Sequence, residues 1–327
     1  MNRSKNLRRV RALGAVAAWL CASGMALAQA WPAKPVKLVV SYPPGGTVDA
    51  VARVIAPRLS ERLRQPVVVD NRAGAGGAIG GEAVAKSAAD GYTLLLDASN
   101  HAQNPALRSK MPFDTLRDLA AVSLLVKVPN VLVVTPSTPY RSVKDVLAQS
   151  RAKPGELNFA SSGNGSAQHL AGELFQTMGG VRMTHVAYKG GGPALTDVMA
   201  GQVPVFFASL ASSLPYIQSD KLRAIAVTGK TRSPVLPQLP TVAESGLPGY
   251  EVYEWNAIFA PRGTPPAVIA RISTELAAVV QEPAVKTRLE AMGAEVIGSG
   301  PAELDSFRRA EIDKWTRLAK DNQISLD

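Results

Sequence analysis

Short apolar, β-branched runs that lead through a loop into an amphipathic stretch recur along this 327-residue chain. Alternating βα units restrict a chain to a mainly parallel sheet covered by helices. Val36–Val40 reads as the first buried strand. A helix is expected over 48–63, with Val51, Ile55, Leu59 and Leu63 at four-residue spacing on one face. Pro57 lies within that helix and is expected to kink or shorten it. Further strands are expected at 66–69, 92–96, 131–134, 157–160, 183–187, 203–207 and 222–227, with helices near 79–86, 142–151 and 166–178. The tail reads as helical apart from a short strand at 295–297. Its last helix opens at Ser299-Gly300-Pro301 and carries Leu304, Phe307, Trp315 and Leu318 as a buried stripe. A chain of this length is expected to form two lobes rather than one.

Two strand-to-helix junctions resemble each other. YPPGGTVD (42–49) follows the run at 36–40, and SSGNGSAQHL (161–170) follows the run at 157–160. A strand that feeds a glycine loop into a helix start aims backbone N–H groups and the positive end of the helix dipole at one spot. Such a spot binds an anion without a lysine or arginine. In the first loop Gly45 and Gly46 let the backbone approach a ligand, Thr47 is expected to cap the helix, and Asp49 lies in its first turn. Tyr42 opens the same loop. In the second, Ser161, Ser162 and Ser166 offer hydroxyls, Gly163 and Gly165 are expected to offer exposed amides, and His169 falls one turn into the helix. His169 suits ordering of the loop better than proton transfer. A third loop, YKGGGPAL (188–195), again puts glycines before a helix: Tyr188 and Gly190 are candidates, and Lys189 is a cation placed for a carboxylate. Ser99 and Asn100, in the polar stretch DASNHAQNP (97–105), follow a strand and are read as cleft-lining loop residues. Trp255, in a strand-like run at 253–259, is either core or a cleft wall.

The first thirty residues have the pattern of a secretion signal. Arg3, Lys5, Arg8, Arg9 and Arg11 precede an apolar stretch from Ala12 to Leu27, and Ala28-Gln29-Ala30 supplies small residues for cleavage before Trp31. Cleavage there leaves 297 residues without a cysteine, since Cys21 is the only one. The formal charge of +10 falls to +5, because the leader holds five basic residues and no acid. No basic block with interleaved aromatics remains, which argues against nucleic acid as a partner.

Reactive chemistry is sparse. The three histidines, 101, 169 and 185, have no helical zinc spacing, so no metal is expected. The chain has no Gly-x-Ser-x-Gly elbow and no Walker pattern, and the glycines from 74 to 81 miss the dinucleotide spacing. No cofactor and no catalysis are therefore expected. The alternatives are a secreted serine hydrolase using Ser162 or Ser166 with His169, and a ligand sensor docking to a membrane kinase.

Several long motifs occur in order over the whole chain after residue 30. YPPGGTVD is followed by NRAGAGGAIGGEAVAKSAADGYTLL (71–95), SSGNGSAQHL, VAYKGGGPAL, KLRAIAVTGKTRSP (221–234) and LPTVAESGLPGYEVYEWNAIFAPRGTP (239–265). In these the chain resembles the Bug (TctC-like) family, the extracytoplasmic solute-binding receptors of tripartite tricarboxylate transporters. The resemblance implies an α/β fold of the type II periplasmic binding protein kind, with a ligand cleft between two α/β lobes. By that likeness residues 1–30 are a signal peptide, 31–131 plus 252–327 form lobe one, and 132–251 form lobe two. The implied ligand is a small organic carboxylate held between the two glycine loops, the implied partners are membrane permease subunits, and the implied state is a periplasmic monomer. Family members often carry an acid after the lobe-two strand, where this chain has Ala208. Its absence argues for a plain or aromatic acid rather than an amino acid.

Overall fold

The structure, a computed structural model, describes residues 31–326, so the expected signal peptide lies outside the described residues. Strands and helices alternate from β1 (Val36–Val40) and α1 (Thr47–Leu63) through β2 (Val67–Asn71), α2 (Ala78–Ala85), β3 (Thr93–Ala98) and α3 (Asn100–Leu107). β4 (Leu119–Val134) is followed by α4 (Val143–Ala152), β5 (Asn158–Ser161), α5 (Ala167–Gly179), β6 (Thr184–Ala187) and α6 (Gly191–Met199). Then come β7 (Val205–Ser209), α7 (Leu210–Gln218), β8 (Arg223–Val227), β9 (Tyr253–Pro261), α8 (Pro266–Gln281), α9 (Pro283–Ala291), β10 (Glu295–Val296) and α10 (Pro301–Asp321).

The strands run in the order β2-β1-β3-β9-β4-β7-β5-β6, with β8 and β10 also paired to β4. β1 pairs in parallel with β2 and β3, and β5 pairs in parallel with β6 and β7, as βα crossovers require. β4 joins the two groups. Its first part, Leu119–Pro129, lies antiparallel to β9, while Asn130–Val134 lies antiparallel to β7. One long strand thus belongs to both halves of a two-lobe α/β fold. It is apolar almost throughout, with only Ala120 and Lys127 short of full burial, as a strand covered on both faces should be.

Local outcomes depart from expectation at several points. Pro57 does not shorten α1, which runs unbroken for 17 residues with Val51, Ile55, Leu59 and Leu63 buried. The loss of one backbone donor there is outweighed by the apolar face that packs on the sheet. The expected strand at 131–134 is the end of β4, because the residues before it are equally apolar and have β9 as a partner. The stretch 97–105, read as a polar loop, is the end of β3 and most of α3. His101, Gln103 and Asn104 are buried there, so polarity did not signal exposure. The last helix opens at Pro301 as expected, with Gly300 at its cap, while the nearby Ser299 hydroxyl does not cap it but accepts the Leu124 N–H at 3.1 Å. No helix among the described residues is long and apolar enough to cross a membrane.

Candidate functional site

The first and second glycine loops open on one cleft of about 440 Å³. Tyr42, Gly46 and Thr47 reach it from the β1–α1 junction, and Ser99 and Asn100 from the start of α3. Ser162, Gly163 and Ser166 reach it from the β5–α5 junction, and Gly190 from the loop before α6. None of the residues lining it is a lysine or arginine.

Positive potential comes from backbone. Gly46 precedes α1 in extended conformation with no side-chain cap, so the first-turn N–H groups of Thr47 and Val48, both lining the cleft, have no intrahelical acceptor. Ala167 and Gln168 occupy the same positions at the start of α5 and also line the cleft. Two helix starts from opposite halves of the sheet therefore face one space, each with a partial positive charge.

The glycines do a different job from the one expected of them. The Gly163 N–H donates to Ser161 Oγ at 3.1 Å, and the Gly165 N–H donates to His169 Nδ1 at 3.1 Å. The Gly45 N–H donates to Asp49 Oδ2 at 3.0 Å, and the Gly190 N–H to the Ser162 carbonyl at 3.1 Å. Their amides are spent inside the loops. What glycine supplies is backbone shape: φ is +85° at Gly45, +131° at Gly163 and +72° at Gly165. The amides at this cleft without an intrahelical acceptor are those of the first helical turns.

Asp49, Ser161, Gly165 and His169 accordingly do not line the cleft but build its rims. Asp49 is 2 % exposed and also accepts from Arg53 Nε at 2.8 Å and Asn71 Nδ2 at 2.9 Å. The Arg53 guanidinium, with the Gly45 and Asn71 donors, lowers its carboxyl to about 2. Thr47 is not the cap; it is the first helical residue, and Asp49 holds the preceding loop through the Gly45 N–H. Ser161 Oγ also lies 2.6 Å from His185 Nε2, and the His185 ring stacks on His169 at 3.9 Å. Burial and the neighbouring His169 push His185 down to about 3, so His185 is neutral at ordinary pH. Ser166 Oγ accepts the His169 backbone N–H at 3.2 Å, the N-cap of α5. With that hydroxyl turned to the backbone and His169 Nδ1 taken by Gly165, the Ser166–His169 pair has no nucleophile–base hydrogen bond.

Asn100 ties the two rims together. Its Oδ1 accepts the Tyr42 hydroxyl at 2.8 Å and its Nδ2 donates to the Gly165 carbonyl at 3.2 Å. Burial, with Asp97 and Glu254 nearby, raises the Tyr42 phenol well above its ordinary value, so it stays a neutral donor.

Four candidates lie away from the cleft. Tyr188 donates to Asp197 Oδ2 at 2.7 Å, and Lys189 is exposed. Ala208 is fully buried on β7 opposite Val131, so the side chain that β7 turns to the cleft region is Ser209. Trp255 is fully buried, donates from Nε1 to Glu311 at 3.3 Å and packs edge-on to Phe307. Strand alternation puts its neighbours Glu254 and Asn256 on the other face, where both line the cleft. Sequence reasoning missed these two and Gln168. The period of two around a tryptophan facing the core was the available signal for the first pair. Gln168 Nε2 donates to Glu254 Oε1 and to Asn130 Oδ1, while its Oε1 accepts Ser162 Oγ at 2.5 Å. Ser209 Oγ donates to Glu254 Oε2 at 3.1 Å. Burial raises the Glu254 carboxyl, against the pull of its Gln168 and Ser209 hydrogen bonds.

A separate groove, lined by Pro136, Ile217, Leu236 and Leu239 among others, shares no residue with the cleft and holds neither glycine loop. Among the described residues no cluster of three or more histidine, cysteine or acidic side chains is arranged to hold a metal.

A family model described as the tripartite tricarboxylate transporter family receptor matches residues 51–324. BugT of Bordetella pertussis is 38% identical over 325 residues, covering 98% of this chain and 100% of that protein. Among solved structures, Rpa4515 of R. palustris with adipate is 41% identical, with a TM-score of 0.82 over 90% of this chain and 99% of that one. MatC of Rhodopseudomonas palustris with bound malate is 31% identical, with a TM-score of 0.77 over 88% of this chain and 99% of that one.

Proposed function

We propose, on the premise that this chain belongs to the tripartite tricarboxylate transporter receptor family, that its cleft captures a small organic carboxylate in the periplasm and delivers it to a membrane transporter. The observation that carries this reading is the pair of helix-start amide sets, at Thr47–Val48 and Ala167–Gln168, which have no intrahelical acceptor and share a cleft that has no lysine or arginine in its lining. Each helix start favours an anion by about 0.3–1 kcal/mol, up to about 2 when partly buried. Each hydrogen bond to a charged group adds roughly 1.5–3 kcal/mol. Two sets together suffice for a carboxylate, and adipate and malate in the two similar structures are carboxylates.

In this reading Tyr42, Gly46, Thr47, Ser99, Asn100, Ser162, Gly163, Ser166 and Gly190 contact the ligand. Gly45, Asp49, Ser161, Gly165 and His169 hold the loops in shape. Lobe one is 31–131 plus 252–327 and lobe two is 132–251; the change of partner along β4, from β9 to β7 at Asn130, supports that division. Residues 1–30 are a cleaved secretion signal, and the protein acts as a monomer without catalysis.

Thermal unfolding of refolded protein with a panel of organic acids tests the function. An acid at a hundred times its Kd adds about 2.7 kcal/mol to stability and raises the midpoint. The reading fails if no acid shifts the midpoint while Gly46→Val and Ser162→Ala behave as wild type.

A further inference from the structure

The acceptor chemistry of the β9 wall restricts the other end of the ligand. Glu254 and Asn256 stand two residues apart on one strand and face the cleft together. Glu254 has no lysine, arginine or histidine at ion-pair distance among the described residues. Both its oxygens receive hydrogens from neutral donors, Gln168 and Ser209, which orient it as an acceptor. Asn256 is 3 % exposed; its Nδ2 donates to the Trp255 carbonyl, and its Oδ1 finds no partner among the described residues. A buried acceptor left without a donor is costly, and a buried carboxylate without a cation more so. A ligand carboxylate, which only accepts, would meet the Asn256 Oδ1 and Glu254 oxygens there rather than donors.

We propose that Glu254, with Asn256, selects carboxylates whose far end carries a hydrogen-bond donor, a hydroxyl or an ammonium, and disfavours a second ionised carboxylate. This rests on the amide-lined helix starts holding the first carboxylate, as proposed above. The carboxylate points to Thr47–Val48 and Ala167–Gln168, and the donor points to β9. Glu254 thereby restores an acid to the cleft that Ala208 on β7 does not supply, and the argument against an amino group falls with it.

The test is titration calorimetry at neutral pH with straight-chain acids of four to six carbons, each length with four far ends: methyl, hydroxyl, ammonium and carboxylate. The hydroxyl or ammonium form is expected to bind about ten- to a hundredfold more tightly than the methyl and carboxylate forms of the same length. Glu254→Gln keeps an acceptor and loses the charge. It is expected to abolish a preference for ammonium and to leave a preference for hydroxyl within a few fold. Glu254→Ala should remove either preference, so that the donor-ended acids bind within a few fold of the methyl-ended acid of the same length. The proposal is overturned if the methyl- or carboxylate-ended acid binds as tightly as the donor-ended ones, or if Glu254→Ala weakens all four ends equally. The wild-type series alone decides the first point, so it stands even if a variant fails to fold. Binding that ignores the far end sinks this selection and leaves the carboxylate receptor intact, whereas no binding by any acid sinks both.

Discussion

Asp49 shows how a residue in a ligand loop can serve the loop rather than the ligand. Its two oxygens take the Gly45 amide, the Arg53 guanidinium and the Asn71 amide, and the side chain is almost completely buried. Because its folded-state value is depressed to about 2, the unfolded chain binds the extra proton between there and about 3.9. Stability from this group is complete above that window and is lost as pH falls through it. Acid unfolding monitored by circular dichroism should show the loss in wild type, and Asp49→Asn should flatten that part of the profile. At neutral pH Asp49→Ala should lower stability by about 1–3 kcal/mol, because the Gly45 and Asn71 donors lose their acceptor. An unchanged acid limb in Asp49→Asn would remove Asp49 from this role. Sequence placed Asp49 in the first turn, where a negative charge is favoured; only folding brought Asn71, on the neighbouring strand, to its other oxygen.

At the level of elements, the β5–α5 junction depends on a backbone that only glycine adopts cheaply. Gly165 has φ of +72°, and a Cβ there would come within 2.5 Å of Leu326 near the C-terminus. Gly165→Ala combines a left-handed penalty of roughly 1–2 kcal/mol with that contact, so chemical denaturation should show a loss of at least about 1 kcal/mol. Deleting Leu326 in the same variant should recover part of it; a neutral Gly165→Ala would show that the loop relaxes freely. The same junction marks the limit of reading elements from sequence. The glycine loop and helix start at 161–167 were legible from the strand–glycine–helix pattern. Which amides stay open was not, because Ser161 and His169 consume the glycine N–H groups through side-chain contacts that the pattern does not encode. For α3 the failure was different: a buried polar network around His101, Asp97 and Ser41 resembles a surface loop in composition.

For the whole molecule, β4 and the core bind the two halves into one unit. A single apolar cluster reaches from Val39 and Leu95 on β1 and β3 to Phe159 and Phe207 on β5 and β7. Across the cleft, Asn100 bridges Tyr42 and Gly165, and Gln168 and Ser209 meet Glu254. Unfolding without ligand should therefore be one cooperative transition, with calorimetric and van't Hoff enthalpies equal. Two resolved transitions would mean that the halves unfold independently despite the shared strand.

The sequence by itself determined the alternation of strands and helices, the two glycine junctions and the family, because those depend on local periodicity and on motifs contiguous in the chain. Only the tertiary structure decided which face of β9 meets the ligand space, and that Glu254 and Asn256 line it while Trp255 is core. The reason is physical: alternation sets Glu254 and Asn256 on the face opposite Trp255, but in a strand buried on both faces it does not say what either face meets. The difference is set by what packs against each face, and for β9 that is residues more than forty positions away, Gln168 and Ser209 on one side and Phe307 and Glu311 on the other.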